Sequence, residues 1–233
     1  QKLVPGMPAE AESVVVARDI ALARLTGTRI HFLHLSTRRS IELVRAARAE
    51  GLAVTCEAAP HHFTLTDIAC CGYDPVFKVN PPLRTDDDMD AVKCALADGT
   101  IDAIATDHAP HPAQAKELPF DEAPPGMLGL ETAFALTMTE LVHPGVIGFE
   151  EALALLSWQP AAIAGIADHG GPIAPGYPAN LCVVDPGATW EVVPERGASR
   201  SRNNPYAARK LTGQVRHTVL RGELVVLDGK ALR

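Results

Sequence analysis

Residues 28–58, TRIHFLHLSTRRSIELVRAARAEGLAVTCEA, decide the fold. The stretch 28–35 (TRIHFLHL) is short and apolar, as a buried strand is. Within 40–50, Ile41, Leu43 and Val44 supply apolar positions and Arg45 and Arg48 are left for solvent. Gly51 follows, in the place of a glycine past a helix end. The stretch 52–58 (LAVTCEA) is a second strand. Strand, helix and strand in this succession predict a βαβ unit, whose strands lie parallel.

The same alternation extends outward. Residues 8–26 predict a helix, with Val15, Ile20, Leu22 and Leu25 apolar and Gly27 at its stop. Residues 64–71 predict a short helical turn closed by Gly72. The segment 78–84 (KVNPPLR) is not helical, because two prolines sit in its middle. Asp86, Asp87 and Asp88 open a helix over 86–97, three acids at the positive end of its dipole, and Asp98-Gly99 ends it. Residues 101–106 (IDAIAT) form a third strand. A long loop follows over 107–128, then helices over 130–141 and 149–166. The strands are apolar on both faces, as strands buried under helices are. The expected class is α/β, with the chemistry at the carboxyl ends of the strands. From Gly170 onward Gly, Pro and Asn punctuate β-rich runs at 179–184, 189–193 and 214–220. The run 221–230 is expected to be a strand ending in an Asp-Gly turn. These runs predict part of a second, all-β module.

Hydrophobic residues make up 47% of the 233 and charged residues 21%, the balance of an ordinary globular chain. No apolar run reaches the roughly 20 residues that span a bilayer, and no secretory leader is expected. The first residue, Gln1, predicts a chain cut from something longer. A net charge of −7 argues against nucleic-acid or anionic-membrane partners. The five cysteines (56, 70, 71, 94 and 182) include no C-x-x-C pair, which predicts a reducing, cytoplasmic setting.

Polar residues stand at each strand's end. Asp107-His108-Ala109-Pro110-His111 sets a carboxylate and two imidazoles within five residues. Asp107 is either a metal ligand or base, since carboxylate oxygen and imidazole both suit Zn²⁺, or a cap for the loop. His31 and His34, three apart on one strand, are expected to point to opposite faces. His34, nearer the carboxyl end, is the candidate ligand and His31 a structural residue. His61 and His62 diverge and are assigned to the scaffold. Asn80, held before two prolines, offers an amide donor and acceptor for a pyrimidine-like ring, or simply forms a turn. Pro125-Gly126 gives either a close backbone approach to a ligand or a flexible loop entering a helix.

Taken in order, the stretches 8–23, 31–47, 57–67, 78–84, 105–111 and 125–134 resemble the bacterial type I dihydroorotases of the amidohydrolase superfamily. The ordered set HLST, APHH, VNPPLR and TDHAPH carries the resemblance; hydantoinases and allantoinases share it only in part. What the resemblance implies is the last three strands of a TIM (β/α)8 barrel over 1–170 and part of a β-sandwich over 171–233. It implies two Zn²⁺ per complete active site. His34 would bind one, and Asp107 would bind the other and move the proton. It also implies substrate contacts from Asn80, His111, Pro125 and Gly126. The implied reaction is reversible cyclisation of N-carbamoyl-L-aspartate to L-dihydroorotate, in pyrimidine synthesis.

This sequence departs from the pattern in lacking any His-x-His. Zinc in a catalytic site takes about three protein ligands. The expectation is therefore a chain that is inactive alone and needs the N-terminal part of the barrel. Other expected partners are further copies of itself and aspartate transcarbamoylase. Two other readings stand beside this one: a hydantoinase or allantoinase, or a non-catalytic dihydroorotase-like subunit of aspartate transcarbamoylase.

Overall fold

The protein is described by a computed structural model covering residues 6–166 and 168–232; Gln1 lies outside them. The chain divides into two compact units, Gln1–Leu130 with Ser201–Pro205, and Glu131–Arg200 with Tyr206–Arg233.

In the first unit α1 (Glu10–Thr26), β1 (Ile30–Phe32), α2 (Arg38–Ala49), β2 (Val54–Ala58), α3 (Asp86–Ala97) and β3 (Ala103–Ile104) alternate. The strands form one parallel sheet in the order β1-β2-β3. Ile30, His31 and Phe32 stand opposite Val54, Thr55 and Cys56, and Glu57 and Ala58 stand opposite Ala103 and Ile104. Phe32, Ile41, Val44, Cys56, Val92, Leu96 and Ile101 are buried between sheet and helices. Each such side chain contributes about 1.5–3 kcal/mol on burial.

The helices start where their caps lie. Thr37 Oγ1 accepts from Ser40 N at 3.2 Å, and Thr85 Oγ1 accepts from Asp88 N at 3.4 Å. The Glu12 carboxylate of α1 accepts from the Ser36 and Thr37 amides, at 3.1 and 3.2 Å, and from both hydroxyls. It thereby fastens α1 to the loop that leaves β1. At the opposite end of β3 from Asp107, Asp102 pairs with Arg48 and accepts from Cys56 N at 2.8 Å. Beyond β3 the loop contains only a short helix, α4 (Ala113–Lys116).

In the second unit α5 (Ala133–Thr137) continues into a π turn, Met138–Val142, where His143 N donates to Met138 O at 2.9 Å. The expected helix over 130–141 thus starts three residues late. The helix expected over 149–166 is two, α6 (Phe149–Leu156) and α7 (Trp158–Ala164), because Ser157 leaves helical geometry at φ −133°, ψ −83°. Pro160 sits in the first turn of α7, where its missing N–H costs nothing.

Strands β4 (Leu181–Glu191), β5 (Lys210–Leu220), β6 (Glu223–Leu227) and β7 (Lys230–Ala231) form an antiparallel sheet in sequence order. The two runs expected at 179–184 and 189–193 are one strand. Asp185 Oδ1 accepts from Gly187 N and Ala188 N at 3.0 and 3.1 Å, and this local turn shifts the register without ending the pairing with β5. A parallel sheet with its helices and a separate antiparallel sheet make this fold part of a TIM barrel with a β domain. Among the described residues no helix is long and apolar enough to cross a membrane.

Candidate active site

The carboxyl ends of the three parallel strands bring together His34, Glu57 and Asp107. β1 stops at Phe32, and His34 turns into left-handed backbone at φ 53°. Asp107, three residues beyond β3, is left-handed too, at φ 47°. Such a conformation costs a non-glycine residue roughly 1 kcal/mol or more and gathers at functional sites. The turns aim the two side chains at each other, with His34 Nε2 3.7 Å from Asp107 Oδ1.

Glu57, the penultimate residue of β2, joins the pair on its inner side. Its Oε1 lies 3.0 Å from His34 Nδ1 and its Oε2 lies 3.1 Å from His31 Nε2, while His31 Nδ1 contacts Thr55 Oγ1 at 2.8 Å. His31 and His34 were expected on opposite faces. Both reach the same carboxylate, because strand geometry ends between them. The His34–Glu57 contact is close but poorly aligned, so His34 Nδ1 remains a buried nitrogen without a directed hydrogen bond.

The electrostatics follow from these distances. Contact with Glu57 raises the His34 pKa; burial opposes the rise and the Asp107 charge adds to it. Burial pushes Glu57 up, but His34 and His31 outweigh it and hold the carboxyl below its usual range. Burial raises Asp107, His34 works against that, and the Glu57 charge adds to it. A carboxylate with a raised pKa is the better proton acceptor.

His61 and His62 lie buried just behind, edge to face with ring centroids 4.3 Å apart. Burial drives His61 well below the ordinary imidazole range and His62 down to about 4. His62 Nε2 contacts Pro81 O at 3.2 Å. A neutral imidazole donates there, leaving Nδ1 as the acceptor.

A second group forms in the loop after Asp107. His111 Nε2 contacts Pro125 O at 3.0 Å. Asn203 donates to Ala109 O at 2.9 Å and to Gly126 O at 3.1 Å, and its Oδ1 accepts from His111 N at 3.3 Å. His108 Nδ1 accepts from Gly129 N and Leu130 N, each at 3.2 Å, so His108 braces the loop. Gly126 has φ 141°, and a Cβ there would stand 2.7 Å from both Ala109 Cβ and His111 Nε2. Only glycine fits. Asn80 is exposed and followed by a cis bond to Pro81; two residues before it, Lys78 O accepts from Gly126 N at 2.8 Å. Glu57 and Asn203 were not foreseen from the sequence. A glutamate beside the APHH stretch on a strand end was the available sign of the first; nothing local marked the second.

His34 Nε2 and the Asp107 carboxylate converging at 3.7 Å, with the far imidazole nitrogen Nδ1 backed by Glu57 at 3.0 Å, suit a divalent metal such as zinc. Among the described residues no three of His, Cys, Asp and Glu are set to hold one by themselves.

Three parallel strands with polar residues at their carboxyl ends match a known pattern. The sequence profile of the amidohydrolase family fits residues 8–225. The chain belongs to the amidohydrolase family. Among this family's curated proteins, the chain is 48% identical over 225 residues to a dihydroorotase of Streptomyces coelicolor, covering 97% of the chain and 53% of that protein. It is 50% identical over 223 residues to a dihydroorotase of Pelotomaculum thermopropionicum, covering 96% and 52%. In three dimensions this amidohydrolase superposes on an L-hydantoinase (dihydropyrimidinase) from Arthrobacter aurescens with TM-score 0.91 at 28% identity, over 97% of the chain and 51% of that protein. The chain spans about half the length of the curated relatives it matches.

Proposed function

We propose that this chain contributes the His34–Asp107 side of a dihydroorotase active site. The reaction is interconversion of L-dihydroorotate and N-carbamoyl-L-aspartate in pyrimidine synthesis. The observation that carries the reading is the 3.7 Å approach of His34 Nε2 and Asp107 Oδ1 across two strand ends; the dihydroorotase relatives supply the substrate.

In the hydrolytic direction water attacks the ring amide carbonyl and the C–N bond breaks. Asp107 takes the proton from the attacking water and returns it to the leaving nitrogen, a role its raised pKa favours. Asn80 and His111 hold the substrate's polar groups, and main-chain groups of Pro125 and Gly126 meet its ring. Two zinc ions per complete site would be held in part by His34 and Asp107. Such ions acidify water and polarise a carbonyl.

In this reading residues 1–170 belong to the barrel and 171–233 to a β-sandwich. The other barrel strands and metal ligands come from sequence outside this chain, and without them the chain does not turn over. The complete enzyme is cytoplasmic and homo-oligomeric, with aspartate transcarbamoylase a partner to test. The hydantoinase likeness favours one other substrate class, a different cyclic amide.

The test compares the complete enzyme with its Asp107→Ala variant, each assayed side by side on dihydroorotate, hydantoin and allantoin. Turnover of dihydroorotate is expected to vanish while substrate binding partly survives. Near-normal turnover would refute the role of Asp107, and preference for hydantoin or allantoin would reassign the substrate. Zinc analysis of the unsubstituted complete enzyme separates an enzyme from a metal-free scaffold.

A further inference from the structure

Lys116 closes α4 inside the loop that follows Asp107, and its ammonium group is turned inward. Nζ donates to Pro124 O at 2.9 Å, to Pro75 O at 3.0 Å and, more weakly, to Lys78 O at 3.5 Å. An ammonium has three hydrogens, and three carbonyls from two segments, Pro75 with Lys78 and Pro124, use them. None is left for a substrate carboxylate, so the charge serves the loops.

Those carbonyls belong to the segments that bear the proposed substrate contacts. Pro75 and Lys78 lead into Asn80, and Pro124 precedes Pro125 and Gly126. Lys78 O also accepts from Gly126 N at 2.8 Å, so one carbonyl lies between the two loops and Lys116. Around this point Lys78 Nζ donates to Asp121 O at 3.0 Å, and Phe120 meets Tyr73 edge to face at 5.8 Å. Val79, Leu83 and Met127 form an apolar cluster beneath the same loops. The apolar contacts hold the loops close without direction. The ammonium fixes which carbonyls face each other.

We propose that Lys116 is a positioning residue for the substrate: by gathering the Pro75, Lys78 and Pro124 carbonyls it sets the Asn80 loop against the Pro125–Gly126 loop. This rests on the reading of those loops as the substrate-binding edge of a dihydroorotase. It adds a residue that touches no substrate and acts on KM through the spacing of two loops. Methionine at 116 keeps the aliphatic stem and loses every donor. Arginine keeps the charge but carries it on a planar fork that does not converge on three carbonyls.

The experiment uses the complete, zinc-loaded enzyme with dihydroorotate as substrate. Lys116→Met, Lys116→Arg and Asn80→Ala are compared in steady-state kinetics, with hydrogen exchange followed over 73–84 and 120–128. Lys116→Met is expected to raise KM about tenfold, to lower kcat less than about threefold, and to speed exchange in both segments. A residue that only stabilised the fold would reduce the active fraction, and so kcat, without moving KM. If the methionine variant does not fold, Lys116→Arg is read in its place, with a KM rise of about threefold or more expected. Should Asn80→Ala raise KM while the folded Lys116 variants leave it unchanged, the clamp is wrong and the substrate-binding reading stands. Should Asn80→Ala itself leave KM unchanged, that reading fails and the clamp falls with it.

Discussion

Glu57 Oε1 stands 3.0 Å from His34 Nδ1, on the opposite side of the ring from Asp107. A carboxylate behind one imidazole nitrogen favours the tautomer whose other nitrogen is a free acceptor, and it makes that nitrogen more basic. Glu57 is itself held by His31 on its second oxygen, so the carboxylate cannot swing away without breaking that contact. A row of Thr55, His31, Glu57 and His34 therefore leads from within the sheet to the site.

The consequence is measurable on metal affinity. In the complete enzyme Glu57→Gln keeps the shape and removes the charge. Zinc affinity, read by competition with a chromophoric chelator, is expected to fall about 10–100-fold, the usual cost of losing such a partner. An affinity within about twofold of the parent would show that the carboxylate does not support His34 as a ligand.

Much of this arrangement was legible in the sequence, and the part that was not has a physical reason. The helix 86–97 was bounded by local chemistry, three acids in its first turn and Asp98-Gly99 after it, and the structure keeps those bounds. The alternation of strands and helices was likewise written in short apolar runs and glycine stops. The convergence of His31 and His34 was not, because it depends on β1 ending at Phe32 and on His34 adopting left-handed backbone. No residue in HFLHL announces that turn; it is imposed by the long-range bond from Leu35 N to Glu57 O, 2.9 Å. Glu57 escaped notice because a lone glutamate on a strand has many ordinary explanations. Lys116 escaped it because its partners are main-chain carbonyls, which every residue has.

Gly126 gives a second prediction, on the loop side of the site. A methyl group there meets Ala109 and His111 at 2.7 Å and sits on backbone that L side chains rarely adopt. Gly126→Ala must push His111 away from Pro125 O. The expected outcome is a loss of about 1–3 kcal/mol in stability together with a higher KM for dihydroorotate. Urea titration and steady-state kinetics read the two effects. A variant as stable as the parent, with KM unmoved, would mean that the loop relaxes freely and that His111 is not held for the substrate.

The buried histidine pair makes the pH dependence of stability steep on the acid side. His62 lies fully inside, and burial is the main cause of its fall from 6.5 to about 4; the Pro81 carbonyl and Glu12 pull the other way. Between those values the unfolded chain binds a proton at this position and the folded chain does not. Stability then rises with pH across the interval and is lost as pH falls from about 6.5 towards 4. The full shift corresponds to a loss on the order of 3 kcal/mol at the acid end. His61 acts in the same direction. His34 acts in the opposite one, since its raised pKa lends stability at low pH that fades as pH rises. His62→Gln keeps an amide donor for Pro81 O and removes the titration. Its urea midpoint is expected to fall less steeply than the parent's between pH 6.5 and 4, with the two curves closest at the acid end. Parallel curves across that range would mean that His62 is protonated in the fold, and that water reaches a ring the structure places in the core.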